Sequence, residues 1–130
     1  MKKTIRVVAG IIVREDKILI ARRKPGKTLA GYWEFPGGKI EGDESPEQAL
    51  ARELHEEFSV RVQVGKWLGT SVYSYPEQEV ELLGYFAYLL EGEFALRDHD
   101  RICWEERAQL LSYLLAPADI ALVHALLQES

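Results

Sequence analysis

Scarce residue types exclude several classes of protein for this sequence. The single cysteine, Cys103, allows neither an intrachain disulfide nor a zinc site built on cysteines, and its apolar neighbours indicate a buried, inert thiol. No apolar run approaches the roughly 20 residues that a membrane span requires. Basic residues are outnumbered, with 16 Lys and Arg against 21 Asp and Glu. The net charge of −5 argues against a nucleic-acid polymer as a partner, so we expect neither a nucleic-acid nor a membrane partner.

Length and composition favour one compact unit. The 130 residues are 47% hydrophobic, which suffices for a single core without disulfides or a structural metal. Because neither repeats nor a change in composition divides the chain, we expect one domain over 1–130. The apolar segment 7–13 follows two N-terminal lysines, but Arg6 and the lack of a small-residue cleavage site favour a buried strand over a signal peptide. We therefore expect a cytoplasmic protein, as a monomer or a homodimer.

Segments rich in β-branched and aromatic residues predict strands, and apolar residues at helical spacing predict helices. The strands are expected at 5–13, 17–21, 32–35, 60–64, 67–75, 80–90 and 102–105. The helices are expected at 46–58, at 106–113 and from Pro117 onward, the last directing Ile120, Leu122, Val123, Leu126 and Leu127 toward a core. This succession indicates an α/β (α+β) fold in which helices cover both faces of a mixed sheet.

The segment 37–58 combines an accessible backbone with a well-bounded helix. Ser45 and Gln48 form the pattern of a capping box, and Pro46 suits the first helical position. Before this helix, Gly37 and Gly38 predict a flexible turn. Because glycine has no side chain, such a turn can approach a ligand closely or offer a carbonyl oxygen to a metal ion.

The acidic residues are concentrated in this same segment. Seven of the 21 lie within 41–57, namely Glu41, Asp43, Glu44, Glu47, Glu53, Glu56 and Glu57. At helical spacing Glu53, Glu56 and Glu57 are neighbours, and like charges there destabilise a helix, particularly near its C-terminal end. A divalent cation would offset both penalties, and carboxylate oxygens are the ligands that Mg²⁺ and Mn²⁺ prefer. The pattern therefore predicts a metal site rather than a merely solvated acidic face.

The spacing of these residues resembles the Nudix box. That motif reads G-x5-E-x7-R-E-U-x-E-E-x-G-U, where U is a bulky aliphatic residue, and here it begins at Gly38 and runs through Glu44 to Val60. Ser59 is the one departure, since it stands where the family usually has glycine. A serine here either adopts the left-handed conformation at a cost of about 1 kcal/mol or shifts the helix cap slightly, and it removes no metal ligand. We therefore identify the chain as resembling the Nudix hydrolases.

The resemblance extends over nearly the whole chain. Residues 33–41 are similar to the entry to the box in MutT-type nucleoside triphosphate pyrophosphohydrolases, and 115–120 are similar to the C-terminal segment of the cytidine triphosphate branch. The resemblance implies an α/β/α sandwich. It also implies Mg²⁺-dependent hydrolysis of a nucleoside triphosphate to the monophosphate and pyrophosphate. The implied role is cleansing of the nucleotide pool, with 8-oxo-dGTP or (d)CTP and its modified forms as substrates.

The family's functional positions can be carried over to this sequence. The resemblance implies Glu53, Glu56 and Glu57 as metal ligands for Mg²⁺, with Mn²⁺ as a substitute and a carbonyl of Gly37 or Gly38 as an additional ligand. Glu53 is the leading candidate for general base, and Asp98 is the second candidate, as a base or a further ligand. Asp100 lies too near Asp98 in sequence to be separated from it. Glu44 and Arg52 are expected to hold the geometry of the loop and helix.

The substrate contacts follow from the same resemblance. Arg23 belongs to a segment with four basic residues, 22–27, which we call the basic loop. It is expected to contact phosphate, although it could also be a solvated loop charge. Phe35 and Leu82 are expected to pack on the nucleobase, with ordinary core packing as the alternative. Asp119 is expected to read the base edge by accepting a hydrogen bond from an exocyclic amine, and a protonated Asp119 could instead face a carbonyl. Its alternative is an acid near a helix N-terminus.

Two other functions compete with this interpretation. The same fold could hydrolyse another nucleoside diphosphate derivative, such as ADP-ribose, a dinucleoside polyphosphate or a capped RNA end, but the minimal chain has no long insertion for a second substrate half. The domain could also sense nucleotides without catalysis. The intact set of carboxylates argues against such a module.

Overall fold

Two helices cover opposite faces of a mixed β-sheet in the computed structural model, which describes residues 2–129. The elements in chain order are β1 (Lys3–Arg14), β2 (Lys17–Arg23), β3 (Trp33–Glu34), β4 (Gly37–Lys39), α1 (Pro46–Phe58), β5 (Arg61–Ser74), β6 (Gln78–Glu91), β7 (His99–Glu106), a 3₁₀ helix (Arg107–Ser112) and α2 (Pro117–Leu127). The predicted α/β fold with a mixed sheet is therefore confirmed. Within 2–129, no helix combines the length and the apolar character needed to cross a membrane.

Strand β1 is the centre of the sheet. It pairs in parallel with β6, and antiparallel with β4 and with β2. The order of the main path is β3-β2-β1-β6-β5, while β4 pairs with β1 and β7 pairs with β2. Helices lie on both faces of β1, so residues 8–12 of this strand are buried whichever way their side chains point. This explains why the segment is continuously apolar rather than alternating.

The sheet separates two hydrophobic cores. On one face α1 packs Leu50, Leu54 and Phe58 against Val8 and Ile12. On the other face α2 packs its apolar residues against the opposite side of β1 and against β2. Each fully buried Leu, Ile or Phe side chain contributes about 1.5–3 kcal/mol to stability. The two cores thus fix both helices on a common sheet.

The buried stripe of α2 differs from the prediction. Ile120 and Leu127 were expected to face a core, but they are 39% and 40% exposed. The buried residues of this helix are instead Ala118, Asp119, Leu122, Val123 and Leu126. Positions 120 and 127 are seven apart and share the opposite, solvent-facing stripe at 100° per residue. One consequence is that a carboxylate, Asp119, is part of the buried face.

Three further elements differ from their predicted form. Residues 60–64 and 67–75 belong to one irregular strand, β5, whose register shifts near Val64 and Trp67. The segment 106–113 forms a 3₁₀ helix rather than an α-helix. The predicted flexible turn at Gly37–Gly38 is strand β4, in which Gly37 pairs with Ala9 and Gly38 with Val8. Pairing with β1 overrides the local preference of two glycines for a turn, and a side chain at Gly37 would overlap the Val8 carbonyl oxygen.

Both ends of α1 follow the prediction. Ser45 Oγ accepts a hydrogen bond from the Gln48 backbone N–H (3.1 Å), and Gln48 Oε1 accepts one from the Ser45 N–H (2.9 Å), which completes the capping box. After the helix, Ser59 adopts the left-handed conformation, with φ 59° and ψ 32°. The serine therefore takes the backbone conformation that a glycine in this position would adopt.

Replacement of Ser59 tests this left-handed position. Ser59→Gly and Ser59→Ala both remove the hydroxyl group, but only glycine relieves the backbone strain. We therefore expect Ser59→Gly to exceed Ser59→Ala in free energy of unfolding by about 1 kcal/mol. Urea denaturation of the two variants measures the difference. Equal stability would show that this backbone position is unstrained.

Candidate active site

The Arg52 guanidinium lies at the centre of the acidic segment. Its Nε donates to Glu44 Oε2 (2.5 Å) and its Nη2 to Glu44 Oε1 (2.9 Å), while Nη1 donates to Glu53 (3.0 Å) and to Glu56 (3.1 Å). Nη2 also donates to the Lys39 carbonyl of β4 (3.0 Å). These contacts raise the pKa of Arg52, with Glu44 as the largest cause. The guanidinium therefore links α1 to the preceding loop and to β4.

Glu53 lies directly against the backbone of β4. A side chain at Gly38 would overlap the Glu53 carboxylate, so only glycine permits this approach. Burial raises the pKa of Glu53 despite the opposing effect of Arg52. Glu53, the leading candidate for general base, is therefore a partly desolvated carboxylate that lies between the Arg52 guanidinium and the β4 backbone at Gly38.

Glu57 and Asp98 form a pair of neighbouring carboxylates. Burial and then the neighbouring Asp98 raise the pKa of Glu57, while the Lys27 ammonium, 2.9 Å from Asp98 Oδ1, lowers the pKa of Asp98. Asp100 instead forms a bidentate pair with Arg22, at 2.8 and 3.0 Å. Of the two acids that the sequence did not separate, the structure thus places Asp98 next to the helix.

The carboxylates suit a hard divalent cation in their chemistry. Within residues 2–129, no three His, Cys, Asp or Glu side chains converge closely enough to hold a metal ion. Arg52 lies between Glu53 and Glu56 and donates to both. Glu57 Oε2, however, is buried without a hydrogen-bond partner in the described chain. A buried carboxylate oxygen in this condition fits a cation as its partner.

A cavity of about 270 Å³ borders β4. Its walls include all four predicted substrate residues, Arg23, Phe35, Leu82 and Asp119, together with Gly37 and Gly38. Phe35 and Leu82 also belong to the hydrophobic core, as the alternative for them held, while their packing on a nucleobase stays a prediction. Strand β4 therefore borders both the cavity and the Glu53 carboxylate.

Asp119 is the buried acid of the cavity. It is 5% exposed, and its Oδ2 accepts a hydrogen bond from the Phe35 backbone N–H (2.8 Å). Burial, and then the nearby Glu34 carboxylate, raise the pKa of Asp119 well above its usual value. Asp119 also lies in the first turn of α2, as its alternative held, and it is part of the cavity wall, so its contact with a base stays a prediction.

The structure adds residues that the sequence did not single out. Glu34 Oε2 accepts from Arg23 Nη1 (3.2 Å) and lies 2.8 Å from His99 Nε2, while Arg23 Nε donates to the Thr28 carbonyl (2.7 Å). Tyr75 lines the cavity, and its hydroxyl oxygen accepts from a backbone N–H at the start of α2. Arg23 is thus a fixed side chain of the cavity rather than a freely solvated charge. Glu34 lies within 33–41, the segment that is similar to the entry to the Nudix box, whereas no sequence pattern indicated His99.

Comparison with known proteins assigns the family. A model of the NUDIX domain matches residues 4–126. The chain belongs to the Nudix family. It is 40% identical over 123 residues to the CTP pyrophosphohydrolase of Escherichia coli K12, covering 95% of this chain and 91% of that protein. It is 36% identical over 133 residues to the 8-oxo-dGTP diphosphatase of Haemophilus influenzae, covering 99% and 96%.

Solved structures agree with this assignment. The crystal structure of the MutT protein from Methanosarcina mazei Go1 superposes with a TM-score of 0.85 and 26% identity, covering 95% of this chain and 92% of that one. The expected Nudix fold and MutT-type resemblance are therefore confirmed. The protein is a Nudix hydrolase of the MutT type, and Nudix enzymes act on small nucleotide substrates with divalent metal ions.

The buried carboxyl of Asp119 should make the free energy of unfolding depend on pH. Because the pKa of Asp119 is raised in the folded protein, the free energy of unfolding falls as pH rises from the ordinary pKa of an aspartate toward that raised pKa. An asparagine in its place would keep an acceptor for the Phe35 N–H without a charge. We expect Asp119→Asn to raise the free energy of unfolding at pH 8 by about 1–3 kcal/mol, and the gain to shrink as pH falls toward about 4, where aspartate is protonated in the unfolded chain too.

Urea denaturation from pH 4 to pH 8 measures this effect. Asp100→Asn is a matched control with the opposite sign, because the Arg22 guanidinium lowers the pKa of Asp100. Its contribution to stability is present above the ordinary pKa of an aspartate and is lost on acidification. A pH-independent stability difference between wild type and Asp119→Asn would contradict the assignment.

Proposed function

We propose that this Nudix hydrolase cleaves nucleoside triphosphates to nucleoside monophosphates and pyrophosphate in a Mg²⁺-dependent reaction. The observation that carries the proposal is the position of β4, which borders the cavity and also contacts Glu53 through Gly38. A nucleotide with its base in the cavity would therefore extend its phosphates along β4 toward the carboxylates of α1. In the cytoplasm, such an enzyme would remove modified triphosphates from the nucleotide pool.

The metal would be held by side chains of α1 and of the loop before β7. Its ligands would be Glu53, Glu56 and Glu57, with Asp98 and a carbonyl of Gly37 or Gly38. When bound, a divalent cation lowers the pKa of water and neutralises negative charge on phosphate oxygens. The buried Glu57 oxygen without a partner supports this assignment. Mn²⁺ would substitute for Mg²⁺ because it accepts the same oxygen ligands.

Glu53 is the group that we assign as general base. Its partial burial raises its pKa, and a carboxylate whose pKa is nearer neutrality accepts a proton from water more readily. The Lys27 ammonium lowers the pKa of Asp98, so Asp98 is the weaker base of the two. Arg52 and Glu44 hold Glu53 in place through the guanidinium contacts. Arg23 would donate to a phosphate oxygen from the cavity wall.

The base would be recognised inside the cavity. Phe35 and Leu82 line the cavity and would present apolar surface to the faces of the base. The Asp119 carboxylate would accept a hydrogen bond from an N–H group on its edge, and a protonated Asp119 would instead face a carbonyl. Cytosine carries such a donor in its exocyclic amine, and guanine derivatives do so as well. The relatives CTP pyrophosphohydrolase and 8-oxo-dGTP diphosphatase are named for nucleotides of these two bases. We therefore propose (d)CTP with its modified forms, and 8-oxo-dGTP, as substrates.

A substrate panel tests this function. The purified chain is assayed with all NTPs and dNTPs, 8-oxo-dGTP and ADP-ribose in Mg²⁺, and both pyrophosphate and inorganic phosphate are measured. We expect pyrophosphate and a monophosphate, with the highest kcat/KM for a cytidine nucleotide or 8-oxo-dGTP. Release of inorganic phosphate, or cleavage of ADP-ribose without turnover of triphosphates, would contradict the proposal.

Substitution of Glu53 tests the assignment of the base. Glu53→Gln keeps the shape of the side chain but removes the group that accepts a proton, so we expect kcat to fall by about 10²–10⁴-fold. Glu47→Gln is the matched control, because Glu47 is an exposed acid in the first turn of the same helix. Thermal unfolding of both variants should remain cooperative. Full activity of Glu53→Gln would show that another group is the base.

A further inference from the structure

The segment between β6 and β7 contacts the last turn of α1, and this contact includes the residue that departs from the Nudix box. We propose that Arg97 and Ser59 are positioning residues, which hold the loop before β7 so that Asp98 lies beside Glu57. The inference rests on the proposed function, since it assumes that this carboxylate pair binds the metal.

Two hydrogen bonds from one guanidinium carry the inference. Arg97 Nη1 donates to the Glu56 backbone carbonyl (2.6 Å), and Arg97 Nη2 donates to Ser59 Oγ (3.1 Å). Ala95 N–H donates to the Phe58 carbonyl (2.9 Å). The loop is therefore attached to three acceptors at the end of α1.

The chemistry of a helix end explains why arginine suits this place. The last carbonyl groups of a helix lack partners within the helix and carry partial negative charge, which a cation complements. The planar fork of Arg97 reaches two acceptors at once, which a lysine ammonium on a flexible chain does less well. Ser59 supplies the second acceptor. A glycine, usual at this box position, has no side-chain oxygen, so the departure from the motif creates the contact.

The next residue along the chain is Asp98. Its backbone carbonyl accepts from the Lys24 N–H (3.1 Å), and its carboxylate pairs with Lys27 and neighbours Glu57. The peptide is therefore held on both sides of this acid, by α1 through Arg97 and by the basic loop through Lys24. Loss of the Arg97 contacts would free Asp98 to move away from Glu57 without altering either carboxyl group.

Binding of Mn²⁺ alone tests this role without relying on activity. We expect Arg97→Ala to weaken Mn²⁺ binding, measured by isothermal titration calorimetry, by about tenfold, as for other residues that orient metal ligands. Arg97→Lys, which keeps the charge and protects against a folding defect, should give an intermediate loss. Arg61→Ala is the matched control, because Arg61 pairs with Glu91 near the same end of the helix, at 3.2 Å. It should bind Mn²⁺ like wild type.

A double variant tests whether Ser59 acts through its hydrogen bond with Arg97. Ser59→Ala should weaken Mn²⁺ binding less than Arg97→Ala does, and adding it to Arg97→Ala should cause no further loss, because both remove the same contact. In turnover at saturating Mg²⁺, Arg97→Ala should lower kcat and leave KM for the nucleotide within about twofold.

The outcomes separate this inference from the proposed function. If Arg97→Ala lowers only the stability of the fold and binds Mn²⁺ as tightly as wild type, Arg97 merely caps the helix and the inference is wrong. If Mn²⁺ binding depends on Arg97 but no triphosphate is hydrolysed, the positioning role is supported and the proposed reaction is wrong.

Discussion

The site depends on one interaction, the placement of the Arg52 guanidinium among the glutamates of α1 and the loop before it. Neighbouring carboxylates near the C-terminal end of a helix repel each other and oppose the helix dipole. Arg52 offsets this repulsion through contacts with Glu44, Glu53 and Glu56, and it also bonds to the β4 backbone at Lys39. Loop, helix and strand are thereby held together before any metal binds.

Strand β4 connects this interaction to the sheet, because Arg52 bonds to its Lys39 carbonyl. It has only three residues, but it pairs with the central strand β1, whose position is fixed by both hydrophobic cores. Strand β4, which borders both the cavity and the acidic helix, is therefore held in place by its pairing with the central strand. Rigid elements position reacting groups more accurately than loops do, which is what hydrolysis at a defined phosphate requires.

The sequence predicted the parts of this arrangement that depend on local spacing. The capping box, the extent of α1 and the left-handed Ser59 all follow from short-range patterns, and the structure has them. Contacts between residues far apart in the sequence could not be predicted in the same way. Gly37 and Gly38 were expected to form a turn because their pairing with β1 depends on residues about 30 positions away. Asp98 and Asp100 could be separated only by their partners, Lys27 and Arg22, which come from the basic loop and β2.

The close approach of Gly38 to Glu53 is the central claim, and kinetics of Gly38→Ala measure it. The added methyl group meets only the flexible end of the Glu53 side chain, so the fold should remain stable while the carboxylate is displaced. We predict a loss of kcat/KM of about a hundredfold for Gly38→Ala. Gly69→Ala, where the methyl group would make an ordinary contact with Ala125, should keep wild-type activity. A Gly38→Ala enzyme as active as wild type would contradict the account.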